Sequence, residues 1–272
     1  MSDLPNIDLS QKEESSLPNI DLNESAGDQG ALQTNKKPNS ERSVYVETAR
    51  SLTVGEVALC KIVFADTINY ELVKVHNSTY LPARILPENR QAPMTPSGEI
   101  YYPVADDRYR QDYSARNYVN YKGHVDELGS GGYIEVQHTF IHEMVHVWQH
   151  QHGEMVKIKG LLLHTCHALG VCSNPYPYLI EDDKVWQDYS LEQRAEMVAN
   201  YFVLLKYPGN GHAYNKVSQN DLGFSKWSRD FVSKVKAGDS SIQGESEASY
   251  LLAVHDEIMA EYKRVLNGFP NL

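Results

Sequence analysis

Apolar residues recur at helical spacing in several separate stretches of this chain. The first is LTVGEVALCKIVFADTI, Leu52–Ile68, where Val54, Val57, Ala58 and Ile62 mark one helical stripe. Thr53 with Glu56 three residues on makes a capping box at its start. YELVKVHN then predicts a short strand. MTPSGEIYYPV predicts a turn at Pro96-Ser97-Gly98 that feeds a strand over Ile100–Val104. A loop follows and ends in Gly129-Ser130-Gly131-Gly132. The next helix runs from about Ile134 to Gln151, with Ile141, Met144, Val145 and Trp148 as its apolar side and Gly153 as a left-handed C-terminal cap. Residues 158–189 carry no regular pattern. SLEQRAEMVANYFVLLKYPG predicts a helix capped by Ser190, with Gln193 closing the capping box and Pro208-Gly209 ending it. A shorter helix is expected over Ser225–Lys236 and a long one over about Glu247–Leu266, with Leu251, Leu252, His255, Ile258, Met259, Tyr262 and Leu266 on one face. The sum is an α+β domain over residues 45–272, mostly helical, with a few strands forming a small sheet on its N-terminal side.

Residues 1–44 break this pattern. They are rich in Ser, Asn, Asp, Glu, Gln and Pro and hold no aromatic residue before Tyr45. Such a segment cannot bury enough apolar surface to offset its ordering entropy, so a disordered tail is expected. LPNIDL occurs twice in it, at Leu4–Leu9 and Leu17–Leu22. The repeat is either a neutral duplication or a short linear motif presented twice, which gains from effective concentration.

Composition narrows the possible partners. The 272 residues, 41% hydrophobic, suffice for one sizeable domain or two small ones. A net charge of −11 and the lack of any Lys/Arg-rich block argue against nucleic acid. No apolar run approaches the roughly 20 residues of a spanning helix. The N-terminus lacks the basic start and apolar run of a general secretory signal, so synthesis in the cytoplasm and any export by a specialised secretion system are expected. Three cysteines, Cys60, Cys166 and Cys172, are too few for a disulfide-built scaffold. Cys166 and Cys172 either pair across a short loop or stay free thiols.

The chemistry concentrates in HTFIHEMVHVWQHQHG, which holds five of the eleven histidines. Within it, His142 and His146 are four apart on a helix and so present two imidazoles in one direction, as a metal ion held about 2.0–2.1 Å from each nitrogen requires. Glu143 can reach a water beside such an ion without ligating it, where a general base must stand. His138 and His150 continue the row, but each further step of four drifts about 40° around the helix. They are expected as polar residues near the cleft rim, as is His152. A catalytic zinc keeps three protein ligands and an open position. The helix after Ser190 offers Glu192, with Ala195 allowing close helix approach and Glu196 behind to orient an imidazole. A second register makes Glu196 the ligand with Asn200 behind it. His164, Cys166, His167 and Cys172 form either a second, structural zinc site of unusual spacing or an ordinary loop near the site.

HExxH on one helix followed by ExxAE on a later one resembles the gluzincin metallopeptidases. The similarity is closer still to a bacterial group of Rhs- or Vgr-related proteins linked to type VI secretion. It is carried by LTVGEVALCKIVF, VKVHN, MTPSGEIYYP, FIHEMVHVWQHQHG and SLEQRAEMVANYF, across most of Leu52–Lys206. The resemblance implies a zincin-like fold and one catalytic Zn²⁺ on His142, His146 and Glu192, with Glu143 as base. It further implies a protein or peptide substrate, an edge strand beside the active-site helix, for which GEIYYPV is the candidate, and a second oxyanion donor, for which His212 in PGNGHAYN is the candidate. Members resemble toxins or effector-associated peptidases, so secretion-apparatus components and an immunity protein are expected partners. Two other functions stay open: a non-catalytic, metalloprotease-like adaptor or carrier of a secretion apparatus, for which the duplicated tail motif speaks, and a zinc amidase acting on cell-wall peptides.

Overall fold

The computed structural model describes residues 49–80, 92–103, 112–119, 125–127, 132–154, 173–267 and 269. All lie within the unit Tyr45–Leu272. The tail with its LPNIDL repeat, Val104, the glycines at 129 and 131, and the cluster His164, Cys166, His167 and Cys172 fall outside these residues.

Helix α1, Val54–Phe64, begins at the expected capping box: the Thr53 hydroxyl accepts from the Glu56 amide and the Glu56 carboxylate accepts from the Thr53 amide. Its buried face is not the expected stripe. Glu56, Leu59, Cys60, Val63 and Phe64 point inward, while Val54 is 89% exposed and Ile62 lies at the surface. The phase turns on Glu56, which a polar/apolar reading assigns to solvent. The guanidinium of Arg50 meets both its oxygens at 2.8 Å and the Tyr113 amide donates to it at 3.0 Å, so the charge is paired where it is buried.

Strands β1 (Ala49–Ser51), β2 (Lys74–Asn77) and β3 (Ile100–Tyr102) form a sheet in that order, β1–β2 antiparallel and β2–β3 parallel with Val75 beside Ile100. Alternation buries Val75, Ile100 and Tyr102. A second pair, β4 (Asn117–Val119) and β5 (Val125–Glu127), forms an antiparallel ladder within the stretch expected to be loop.

Helix α2, Gly132–Gln151, runs through the interior, and fourteen of its 20 residues are buried. Gly153 at φ +83 follows it as the left-handed cap residue. Helix α3, Leu191–Lys206, starts at the Ser190–Gln193 capping box and makes the most extensive packing with α2. Ala195 and Ala199 are fully buried, and small residues of this kind let two helix backbones approach closely.

The remaining α-helices among the described residues are α4 (Gly211–Ser218), α5 (Ser225–Ala237), α6 (Glu247–Ala253) and α7 (His255–Val265). The segment PGNGHAYN opens a helix, capped by the Asn210 side chain, which accepts from the His212 amide. The expected single helix after Glu247 breaks at Val254, at φ −95 and ψ 9, which leaves Leu252 half-exposed. The break separates α6, packed on α5, from α7, packed on α3; the apolar period runs through it unchanged, so sequence does not reveal it. After α7, Phe269 packs edge-on or tilted against Phe64, Trp148 and Trp186. The whole is an α+β arrangement, mostly helical, with one three-stranded sheet. Among the described residues, no helix is long and apolar enough to cross a membrane.

Candidate metal centre

Because α2 turns once between them, His142 and His146 sit one above the other, ring centroids 5.1 Å apart. The first turn of α3 brings Glu192 against both: its Oε2 lies 3.3 Å from His142 Nε2 and 3.1 Å from His146 Nε2. The three ligand atoms lie within 4.8 Å of one another, and all three residues are buried. Ligands about 2.0–2.1 Å from a shared tetrahedral ion stand about 3.3–3.5 Å apart, so the donor set and spacing fit a metal ion.

The opposite ring edges are tethered. His142 Nδ1 donates to Glu196 Oε2 at 3.0 Å, and His146 Nδ1 donates to Gln149 Oε1 at 2.7 Å. Gln149 in turn donates to the Leu191 carbonyl at 3.3 Å, next to Glu192. These partners hold a proton on Nδ1 of each ring and turn Nε2 toward Glu192. Of the two registers, the structure places Glu192 at the shared point and Glu196 behind His142. Gln149 was not foreseen, although its position three residues after His146 puts it on the same helical face.

Glu143 stays outside this group. It lines the adjoining cavity, of about 240 Å³, and its Oε2 accepts from the Thr95 hydroxyl at 2.7 Å. His138, His142, Glu196 and Thr139 also line that cavity. His138 is thus not a rim residue: it is 2% exposed and hydrogen-bonds through Nε2 to Asn200 Oδ1 at 2.8 Å. Burial pushes its pKa down to about 4, so it is neutral. The surface readings of His150 and His152 match the structure better. His150 packs on Gly98, whose φ of +79 lies in the left-handed region that favours glycine. His152 stacks on Trp148.

The expectation about His212 is corrected. His212 is exposed on α4 and is not among the lining residues; Tyr176 is, with its ring centroid 5.7 Å from that of His142. Burial, with the nearby charges of Glu192, Glu143 and Glu196, holds the Tyr176 phenol well above its usual range and therefore protonated. Tyr176 was missed because it lies in the unpatterned SNPYPYLIEDD segment, where periodicity carries no signal. β3 is the terminal strand of the three-stranded sheet. Beside it, the turn at Pro96–Gly98 folds the chain back so that Met94 exchanges hydrogen bonds of 3.0 and 2.9 Å with Tyr101 in an isolated bridge, and Ala92 and Pro93 line the cavity.

Charge is delicately balanced here. Burial lowers the His142 pKa, but hydrogen bonds to Glu192 and Glu196 and the charges of Glu196 and Glu143 outweigh it and raise the imidazole from 6.5 to about 10. His146 is also raised: burial lowers it, and the Glu192 carboxylate more than reverses this. Burial raises Glu196, and the imidazoles of His138 and His142 and the Asn220 amide bring it down to about 2. Without metal, a proton on His142 supplies the positive charge that a divalent ion supplies when bound. A raised folded-state pKa gives stability that is fully present below pH 6.5 and lost as pH rises through about 10. The melting temperature of chelator-treated protein should therefore fall between pH 7 and 10 more steeply than that of metal-loaded protein. Thermal unfolding of both forms across that range checks this, and parallel curves would contradict it. The lowered Glu196 works at the other end: its contribution is present above about pH 4.5 and lost as pH falls toward 2.

No family model matches the chain. Over 157 residues, 58% of this chain, it is 32% identical to the type VI secretion system spike protein VgrG2b of Pseudomonas aeruginosa. The match spans only 13% of the spike protein's length. The solved effector domain of Pseudomonas aeruginosa VgrG2b is 30% identical; the alignment covers 63% of this chain and 83% of that domain, with a TM-score of 0.43.

Proposed function

We propose that this chain, homologous to VgrG2b over the matched stretch, is a zincin-like zinc metallopeptidase that acts as an effector of type VI secretion. The likeness to a type VI spike protein supports the delivery route, and with it secretion-apparatus components and an immunity protein as partners. One observation carries the chemistry: the ligand atoms of His142, His146 and Glu192 lie within 4.8 Å of one another, while a separate carboxylate, Glu143, lines the adjoining cavity beside His142 without joining them.

A zinc ion held by His142, His146 and Glu192 supplies Lewis acidity, which acidifies water and polarises a carbonyl. The remaining steps belong to the chain's own residues. Glu143 takes the proton from the attacking water; the Thr95 hydroxyl occupies Oε2, so Oε1 is the oxygen left to receive it. The same carboxyl then returns the proton to the leaving amine. The protonated Tyr176 hydroxyl donates to the oxygen on which negative charge develops. Residues 92–95 offer an extended peptide a backbone edge. Pro93 has no amide to donate and so contributes only its carbonyl.

Tyr176→Phe is expected to lower kcat by about 10²-fold with KM little changed, because the lost hydrogen bond forms only as charge develops. Steady-state kinetics on a cleaved peptide measures this; a rise in KM alone would make Tyr176 a binding contact instead. The activity itself is tested by labelling the new N-termini that appear when zinc-loaded protein meets a bacterial protein extract. New termini that vanish with a chelator support the reading, and their absence sinks it.

A further inference from the structure

A chain of buried polar groups leaves the metal centre and reaches Tyr262 on α7. Glu196, behind His142, accepts from the Asn220 amide at 2.8 Å and stands 3.4 Å from His138 Nε2. His138 Nε2 meets Asn200 Oδ1 at 2.8 Å, the Asn200 amide donates to the Tyr178 hydroxyl at 2.7 Å, and that hydroxyl lies 2.7 Å from the hydroxyl of Tyr262 on α7. Tyr262 donates to Asp221 Oδ2 at 2.8 Å. Asp221 neighbours Asn220, so the circuit closes on itself. His138, Glu196, Asn200, Tyr178, Asp221 and Tyr262 are each at most 3% exposed.

The direction of every bond follows from one end. Asp221 Oδ1 accepts from the backbone amides of Gly223 and Phe224, which cannot reverse, so this carboxylate is an acceptor. Tyr262 therefore gives its proton to Asp221 and must accept from Tyr178. Tyr178, having donated, must accept from the Asn200 amide. That orients the Asn200 carbonyl toward His138, whose Nε2 must then carry its proton. A protonated Nε2 also faces Glu196 Oε1, which leaves Glu196 Oε2 to the Nδ1–H of His142. Backbone bonds fasten the middle of the chain: the Tyr178 amide donates to the Asn220 carbonyl at 2.9 Å, and the Leu222 amide to the Tyr178 carbonyl at 2.8 Å.

We propose that Tyr178 and Tyr262 are positioning residues for the metal centre, acting through Asn200 and the His138 tautomer to fix Glu196 against His142. The inference rests on the metal-site reading above, but its tautomer can be read without metal. Removing the Tyr178 hydroxyl takes away the acceptor that orients the Asn200 amide, and removing the Tyr262 hydroxyl takes away the acceptor that orients Tyr178; either change loosens Asn200 and leaves the His138 Nε2 proton to Glu196 Oε1, which draws that carboxylate off His142.

The test uses Tyr178→Phe, Tyr262→Phe and the double variant in the full-length protein. Long-range ¹⁵N–¹H spectra of histidine-labelled, metal-free protein should show His138 as the Nε2–H tautomer in the parent, with the His138 and His142 ring resonances shifted in each variant. Chelator competition should show zinc affinity weakened about 10-fold by each change, within the range for groups that orient ligands. The double variant should lose no more than either single one, since both break the same chain. Circular dichroism and melting curves screen for misfolding, and should one variant fail to fold, the other carries the same prediction. An Nδ1–H tautomer in the parent, unchanged zinc affinity in folded variants, or additive losses each overturn the proposal. A parent that binds no zinc but shows the Nε2–H tautomer would sink the metal reading and leave the chain's polarity established.

Discussion

Glu143→Gln is expected to cut peptide-bond cleavage by about 10²–10⁴-fold, the span that positioned proton transfer contributes, while zinc content stays at the parent level. The amide keeps the size of the side chain and can still accept from Thr95, but it cannot take a proton from water. Because Glu143 lies outside the group of ligand atoms, losing its charge should not empty the site. Activity assays and metal analysis on the same preparation separate the two effects. A variant that loses both would make Glu143 a ligand. A variant that loses cleavage but keeps the full biological effect would favour the adaptor function that the duplicated tail motif suggests.

His146→Ala should have the larger effect on the protein as a whole. It removes one of three ligand atoms and breaks the buried contact of 3.1 Å between His146 Nε2 and the Glu192 carboxylate. Breaking a buried pair in this way costs about 3–5 kcal/mol, and zinc should no longer raise the melting temperature. Comparing Glu192→Gln with Glu196→Gln adds a check on the register. The first should abolish tight binding, because its oxygen is the one shared by both imidazoles. The second should weaken binding by about 10–100-fold, because Glu196 touches only the back of His142. The reverse ranking would move the ligand role to Glu196.

What the sequence revealed, and what it hid, follows from how far each signal reaches. Both capping boxes, at Thr53 and Ser190, are four-residue patterns and stand where they were expected. The pairing of His142 with His146 is likewise written in a single helical turn. The approach of Glu192 from α3 was legible as two candidates, and only tertiary packing separates them. Features that depend on distant partners stayed hidden. Glu56 is buried because Arg50 and the Tyr113 amide meet it. His138 is buried because Asn200, 62 residues on, accepts from it. Tyr176 reaches the cavity from a segment without periodicity, and the turn at Pro96-Ser97-Gly98 was read from the sequence while the bridge it sets up between Met94 and Tyr101 was not.

The most direct test of the account is to locate the metal. A crystal of zinc-loaded protein, with diffraction collected on both sides of the zinc absorption edge, should show one strong anomalous peak bonded to His142 Nε2, His146 Nε2 and Glu192. Zinc that binds elsewhere, or a peak that excludes Glu192, would contradict it.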